Sequence, residues 1–379
     1  MSPSTSRPNR TPSPIARRRL AVQQLTTPQH DDPAALVSWL VAVQAQDYLA
    51  TKWAIGMRLA PGRSGGASRA ATEATIDRAL ADGTLIRTHA MRWTWQIVLP
   101  KDVRWLVALV ASRLVSGAGA RFRELELDDA TLRRSHRAIE RALRDGAHLT
   151  RAQVAATLES AGVSSTEGRL SHILGHAELA GLICSGAPVG KQTTSALLDL
   201  RAPGARPPMP RDEAIAELAL RYFRSRGPAS AADFSWWAGV TLTEARRAIA
   251  NAGDALVEDD GPGGVLWRAD APPPRASSTA HLVPAFDEYL VAYVDRTAVL
   301  APEHQRRINA GGGLLAPCVV VDGQVVGWWR RTLGRSGVTV EATLFAPVSE
   351  RADRAIRAAA ARYAAFIGRP LDLAIVVEA

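Results

Sequence analysis

The chain has 379 residues, 47% of them hydrophobic, with a formal net charge of +9 and a pI near 10.3. That length and apolar content support about two to four packed domains, and no apolar run is long enough to cross a bilayer, which excludes a helical membrane protein. Cys184 and Cys318 lack metal-like spacing, which excludes a disulfide framework or a zinc site and fits a reducing cytoplasm. The basic excess points to a polyanionic partner. The lysines are Lys52, Lys101 and Lys191, however, so most of that charge is arginine, a pattern that a GC-rich coding bias also produces.

Residues 1–15 carry Ser, Thr, Pro and Arg and no acid, the composition of a disordered tail. Periodicity predicts helices at 15–25, 33–43, 52–59 and 72–81. The stretch 84–99 is β-branched, aromatic and alternating, and reads as a hairpin or one long bent strand. Alternation puts Met91, Trp93, Trp95 and Ile97 on one face and Arg92, Thr94 and Gln96 on the other, with Arg87 and His89 sharing a face. Pro100 opens the next helix. Helices followed by a basic hairpin make a winged-helix unit over 16–115.

A second winged helix spans 116–202, with helices at 132–144, 151–161 and 165–181. Capping boxes at Thr150-Arg151-Ala152-Gln153 and Ser164-Ser165-Thr166-Glu167 open the last two. Two strands follow within 183–198. Arg169 on the recognition helix and Lys191 on the wing are candidate DNA contacts. After a proline-rich linker at 203–210, residues 211–270 repeat the order, with N-caps at Ser230 and Thr241 and a hairpin about Gly261-Pro262-Gly263-Gly264. Its wing carries Glu258, Asp259 and Asp260 and is not expected to grip phosphate. A second linker covers 271–280. Residues 281–379 are mostly strands, with a two-residue turn at Asp322-Gly323, an alanine-rich helix at 349–367 and a last strand at 371–377. The expected fold class is α+β, mainly α with β wings: tandem winged-helix domains plus a small C-terminal domain, β-barrel-like or mixed, packed on them.

The stretch Val43-Gln44-Ala45-Gln46-Asp47-Tyr48 lies where the second helix runs out. Two amides one residue apart diverge by about 200° on a helix but share one side of an extended chain. If the helix stops there, Gln44 and Gln46 converge and can hold a water or a base; otherwise they are surface glutamines. Asp47 is a helix-end or surface residue, or a negative charge beside the pair. Arg87, His89 and Arg92 fit a hairpin laid along a groove, with Lys52 as a further DNA contact; His89 fits a structural histidine equally well. His172 and His176 stand four apart on a predicted helix without a third ligand, so no metal is expected. The pairs Trp236-Trp237 and Trp328-Trp329 read as core. The glycine runs at 261–264 and 311–313 lack the following Lys-Ser/Thr of a phosphate loop, so no nucleotide cofactor is expected.

Gln44-Ala45-Gln46, Arg87-Thr88-His89-Ala90-Met91-Arg92-Trp93-Thr94-Trp95-Gln96, Leu99-Pro100-Lys101-Asp102-Val103-Arg104-Trp105-Leu106 and Pro284-Ala285-Phe286-Asp287-Glu288-Tyr289 with Asp295-Arg296 resemble the AlkZ/YcaQ group of winged-helix DNA glycosylases. The resemblance runs in order from about residue 18 to the end. It implies tandem winged helices and a C-terminal β-barrel around a DNA channel, with Gln44 and Gln46 as a hydrolytic Gln-x-Gln pair acting on alkylated or crosslinked nucleotides. Trp93 and Gln96 depart from the family hairpin, which usually has Gly or Pro at the first position and often His at the second.

An amide is no general base, so such a pair suits leaving groups that are already cationic, the N7- or N3-alkylated purines. Positioning a water below C1′ and orienting dipoles then carry the catalysis. No lysine lies in the motif to form a Schiff base. The reading is therefore a cytoplasmic, nucleoid-associated, monomeric and monofunctional glycosylase for bulky N-alkylpurines in double-stranded DNA, with interstrand crosslinks in its range and no metal or cofactor. Two alternatives stand beside it: a winged-helix regulator that binds DNA without hydrolysis, and a self-resistance protein that sequesters a genotoxin or its adduct.

Overall fold

A computed structural model describes residues 13–64, 67–190, 192–270, 279–309, 311 and 314–378. The tail through residue 12, Lys191 and linker residues 271–278 lie outside the described residues. The N-terminal unit runs α1 (Pro14–Val22), α2 (Pro33–Leu40), β1 (Ala42–Gln44), α3 (Tyr48–Gly56), the short strands β2 (Gly62–Ser64) and β3 (Ala67–Arg69), α4 (Glu73–Ala81), β4 (Ile86–Met91), β5 (Thr94–Val98) and α5 (Pro100–Gly117). Pro14, Pro33 and Pro100 open their helices, where the missing N–H costs nothing.

The 84–99 stretch is a hairpin and not a bent strand: β4 and β5 pair about a turn at Arg92-Trp93, and β1 joins β5 in the order β1-β5-β4. Both turn residues have positive φ, 51° and 53°, so Trp93 leaves the face of Met91. Turns of this kind normally carry Asn or Gly, which is why alternation concealed it. The second helix stops at Leu40, sooner than its periodicity predicts, because Val41 takes φ 68° and ψ −55°. That is a γ-turn geometry, strained for a β-branched side chain by on the order of 1–3 kcal/mol.

The middle unit comprises α6 (Gly119–Glu124), α7 (Asp129–Leu143), β6 (Leu149–Thr150), α8 (Arg151–Ser160), α9 (Arg169–Leu179), β7 (Ile183–Ser185), β8 (Thr194–Leu197) and α10 (Leu198–Arg201). The Thr150–Gln153 capping box forms. The second expected box does not. Glu167 and Gly168 both take positive φ, α9 begins only at Arg169, and Ser165 instead donates its N–H and hydroxyl to Glu159. This unit has its own core, including Phe122, Leu132, Ile139 and Ile173, against which Trp93 of the hairpin packs.

The third unit comprises α11 (Arg211–Arg226), α12 (Ala231–Ala238), α13 (Leu242–Ala252), β9 (Val257–Gly261) and β10 (Gly264–Arg268). Reciprocal caps at Ser230/Asp233 and Thr241/Glu244 open α12 and α13 as expected. Its Tyr222, Phe223 and Trp237 continue the core of Val41, Val98 and Leu106.

The C-terminal region comprises β11 (Ala280–Val283), α14 (Glu288–Val291), α15 (Gln305–Ile308), β12 (Cys318–Val321), β13 (Gln324–Leu333), β14 (Val338–Leu344), α16 (Glu350–Ile367) and β15 (Leu371–Val377). It forms one sheet in strand order, antiparallel except for β14 and β15, which α16 connects as parallel neighbours. Of the two C-terminal expectations the mixed domain is found and the β-barrel is not: among the described residues the sheet is open, with β11 and β15 as its edges. The reason is α16. Its Ile356, Ala360 and Tyr363 pack in one core with Leu282, Val319, Trp329 and Val340, so a helix buries the face that barrel closure would otherwise enclose. Trp53 of α3 meets Tyr363 edge-on at 5.2 Å and donates to Leu282 O at 2.7 Å, joining the N-terminal unit to this sheet.

The units also meet on buried ion pairs. Arg226, at the end of α11, pairs with Glu288 at 2.7 Å. Its remaining donors reach Leu40 O (2.7 Å) and Ala42 O (2.8 Å), one on each side of Val41. Asp287 beside it receives both ends of the Arg58 guanidinium, at 2.7 and 2.6 Å. Breaking a buried pair leaves an uncompensated charge. Arg226→Met should therefore lose about 3–5 kcal/mol in chemical denaturation; an unchanged midpoint would refute this role.

Candidate active site

The backbone of Gln44 and Ala45 is held at every polar atom. Gln44 lies opposite Gln96 in the β1–β5 pairing, at a position whose N–H points away from the partner strand. That N–H donates to Glu288 Oε1 at 2.8 Å. The Gln44 carbonyl accepts from Thr51 Oγ1 at 3.0 Å. Ala45 N–H returns to Trp95 O at 2.8 Å, and Ala45 O accepts from Arg87 Nε at 3.1 Å. The chain is thus kept extended through Ala45. Gln46 is exposed; Asp47, also exposed, caps α3 by accepting from Ala50 N–H at 3.0 Å.

The Gln44 side chain, 6% exposed, accepts from Gln96 Nε2 at 2.6 Å. Around this pair the carboxylates are committed. Glu288 Oε2 receives two nitrogens of Arg226 and the Trp237 indole N–H. Glu178 receives the His89 N–H at 2.9 Å and lies 2.6 Å from His89 Nδ1. A cleft of about 710 Å³ opens two residues beyond Gln46, lined by Tyr48, Lys52, Trp53, Gln192, Arg331 and Tyr363 among others. It lies between the N-terminal unit, the β7–β8 loop and the C-terminal sheet.

Residues 37–366 match the family described as DNA glycosylase AlkZ-like. The chain belongs to the AlkZ-like DNA glycosylase family. It is 27% identical over 331 residues to a Streptomyces sahachiroi protein named interstrand DNA cross-link repair glycosylase, covering 82% of this chain and 85% of that one. The solved structure of Streptomyces sahachiroi DNA glycosylase AlkZ is similar, with a TM-score of 0.77 at 23% identity over 95% of this chain and 98% of that one.

In this AlkZ-like glycosylase several of the residues expected to contact DNA have partners within the protein. Lys52 is buried against Asp77 (2.5 Å) and Glu73 (3.2 Å). Burial pulls its ammonium down, but the hydrogen bond and charge of Asp77, with Glu73, outweigh it and hold the pKa above the ordinary lysine range. Arg87 stacks 4.0 Å from the Trp95 ring while gripping Ala45 O; burial lowers it to about 10, so it stays charged at neutral pH. His89 takes the structural option, joining the hairpin to Glu178 of α9.

The hairpin tip is wedged between units. Arg92 lies 5.3 Å over Trp236 of the third unit with its Nε buried and without a hydrogen-bond partner among the described residues, and Trp93 faces Phe122 and His172 of the middle unit. Burial lowers the Arg92 pKa. Arg169 bonds Ser164 O and Leu125 O, closing the loop before α9. His172 and His176 turn to different partners, Gly168 O and His136, and no group of three or more potential metal ligands occurs among the described residues.

Sequence reasoning missed Glu288, Arg226, Thr51 and Glu178 as supports of the motif. The one available signal was acidic Asp287-Glu288 in an otherwise apolar segment. Arg87→Met keeps the apolar stem but removes the donor to Ala45 O. Single-turnover base release should drop about tenfold, roughly one hydrogen bond's worth, while a wild-type rate would show that Ala45 needs no such anchor.

Proposed function

We propose that this glycosylase is monofunctional and hydrolyses the N-glycosidic bond of bulky cationic N-alkylpurines in double-stranded DNA, interstrand crosslinks included, on a scaffold of tandem winged helices. The observation that carries the reading is a rigidly held neutral amide, with a second exposed two residues on, among carboxylates already engaged by other donors. With the Glu288 and Glu178 carboxylates engaged and Asp47 capping α3, the amides are left to act, and they favour a substrate whose base already carries positive charge.

The C1′–N bond then breaks with its electron pair passing to the base, which leaves neutral. The sugar cation is captured by a water held between the Gln44 and Gln46 amides, and the water's proton is lost to solvent. Positioning and oriented dipoles supply the rate enhancement. Lys52 supports the monofunctional assignment: its ammonium is protonated and paired with two acids, not a free amine able to attack C1′. The 710 Å³ cleft beside Tyr48, with Trp53 and Tyr363 in its lining, offers room for a bulky substituent. The name of the Streptomyces sahachiroi relative supports extending the substrate range to crosslinks.

Duplex DNA containing N7-methylguanine, scored for alkali-labile abasic sites above the spontaneous background, tests this reading. Gln46→Ala should slow release about a hundredfold with DNA affinity little changed. A full-length chain that binds DNA tightly but releases no base would favour the regulator or the sequestering protein. Asp47→Asn can still cap α3 through its side-chain oxygen and should keep both activity and melting temperature. Loss of release in Asp47→Asn would identify a carboxylate base and overturn the amide mechanism.

A further inference from the structure

Gln44 is fixed by a residue outside the Gln-x-Gln pair. Gln96 is 1% exposed; its Nε2 donates to Gln44 Oε1 at 2.6 Å and to Thr94 Oγ1 at 3.0 Å, while its own Oε1 is buried without a partner among the described residues. The register explains the closeness. Gln44 and Gln96 face each other at a non-hydrogen-bonded position of an antiparallel pair, where backbones approach most closely and side chains meet. The Gln44 carbonyl oxygen is thereby occupied, and its NH2 end has no partner among the described residues.

We propose that Gln96 is the positioning residue for base release: by occupying Gln44 Oε1 it decides which end of the Gln44 amide meets the attacking water. This rests on the glycosylase reading above and adds a direction to it. The two ends of an amide are almost the same size, so a loosely held Gln44 would present its carbonyl and its NH2 in turn. Gln96 removes that choice: Thr94 Oγ1, which gives its own proton to Met91 O, keeps the Gln96 NH2 in place, and a turned Gln44 would set its NH2 against that NH2. Gln44 then donates to one lone pair of the water, the Gln46 carbonyl accepts a water proton, and the other lone pair is aimed at C1′. The unpartnered Gln96 Oε1 is what this arrangement leaves behind, a buried acceptor normally avoided in a folded protein.

The test is Gln96→Glu assayed across pH on duplex DNA containing N7-methylguanine, under single-turnover conditions. A protonated glutamic acid at this position can still donate to Gln44 Oε1; an ionised one can only accept, and forces the Gln44 amide to turn. Release by Gln96→Glu should therefore stay near wild type at acidic pH and fall about ten- to a hundredfold as the carboxyl ionises, over a range where wild type is flat. Gln96→Met, which cannot orient the amide at all, should be slowed similarly at every pH with KM and DNA affinity unchanged, and it decides the question if the glutamate variant fails to fold. Flat, wild-type behaviour of both folded variants would overturn the assignment while leaving the glycosylase reading intact. Absence of release by the unaltered chain would overturn both.

Discussion

A single buried carboxylate organises the centre of this molecule. Glu288, 1% exposed, receives the Gln44 N–H on one oxygen and two nitrogens of Arg226 plus the Trp237 indole on the other. These donors come from β1 of the N-terminal unit and from α11 and α12 of the third, so one charge ties both units to the C-terminal region. Arg226 in turn grips the carbonyls of Leu40 and Ala42, which keeps Val41 in a conformation that its branched side chain disfavours. The end of α2, and with it the direction in which Gln44 leaves, follows from that grip. A desolvated charge is costly unless fully paired, so this arrangement contributes less to net stability than to having one geometry at the motif.

The same logic revises the meaning of the positive net charge. Arginine excess suggested a polyanionic partner, yet Arg58, Arg87 and Arg226 are buried and spent on carbonyls or acids of the protein itself. Arginine suits that work because its planar fork can satisfy several acceptors at once and it stays charged when desolvated. Net charge therefore overstates how much of the surface is free to meet phosphate.

The hairpin plays a comparable internal part. Its Arg92-Trp93 tip adopts a turn that Asn or Gly would make without strain, and it is kept there by Trp236 on one side and Phe122 with His172 on the other. Its β5 strand pairs with β1, and its β4 strand supplies Arg87 to the motif and His89 to Glu178. The hairpin thus joins three units and carries Gln44 against its β5 strand.

Much of this was legible locally. The helices of the third unit, the Thr150 capping box, the Asp322-Gly323 turn and the closing helix and strand all rest on short-range signals, such as caps, apolar periodicity and residues that tolerate positive φ, and the chain carries these in its own order. The glutamine pair and the committed acids around it were decided only by tertiary structure. Nothing near Leu40 in sequence announces that Arg226 will stop the helix there, because the stabilising partner lies 186 positions away. Nor does anything in 281–379 announce that a helix, and no further strand pairing, will cover the sheet. Short-range hydrogen bonding writes itself into neighbouring residues, whereas a buried charge chooses its partners from whatever folding brings within about 3 Å of it.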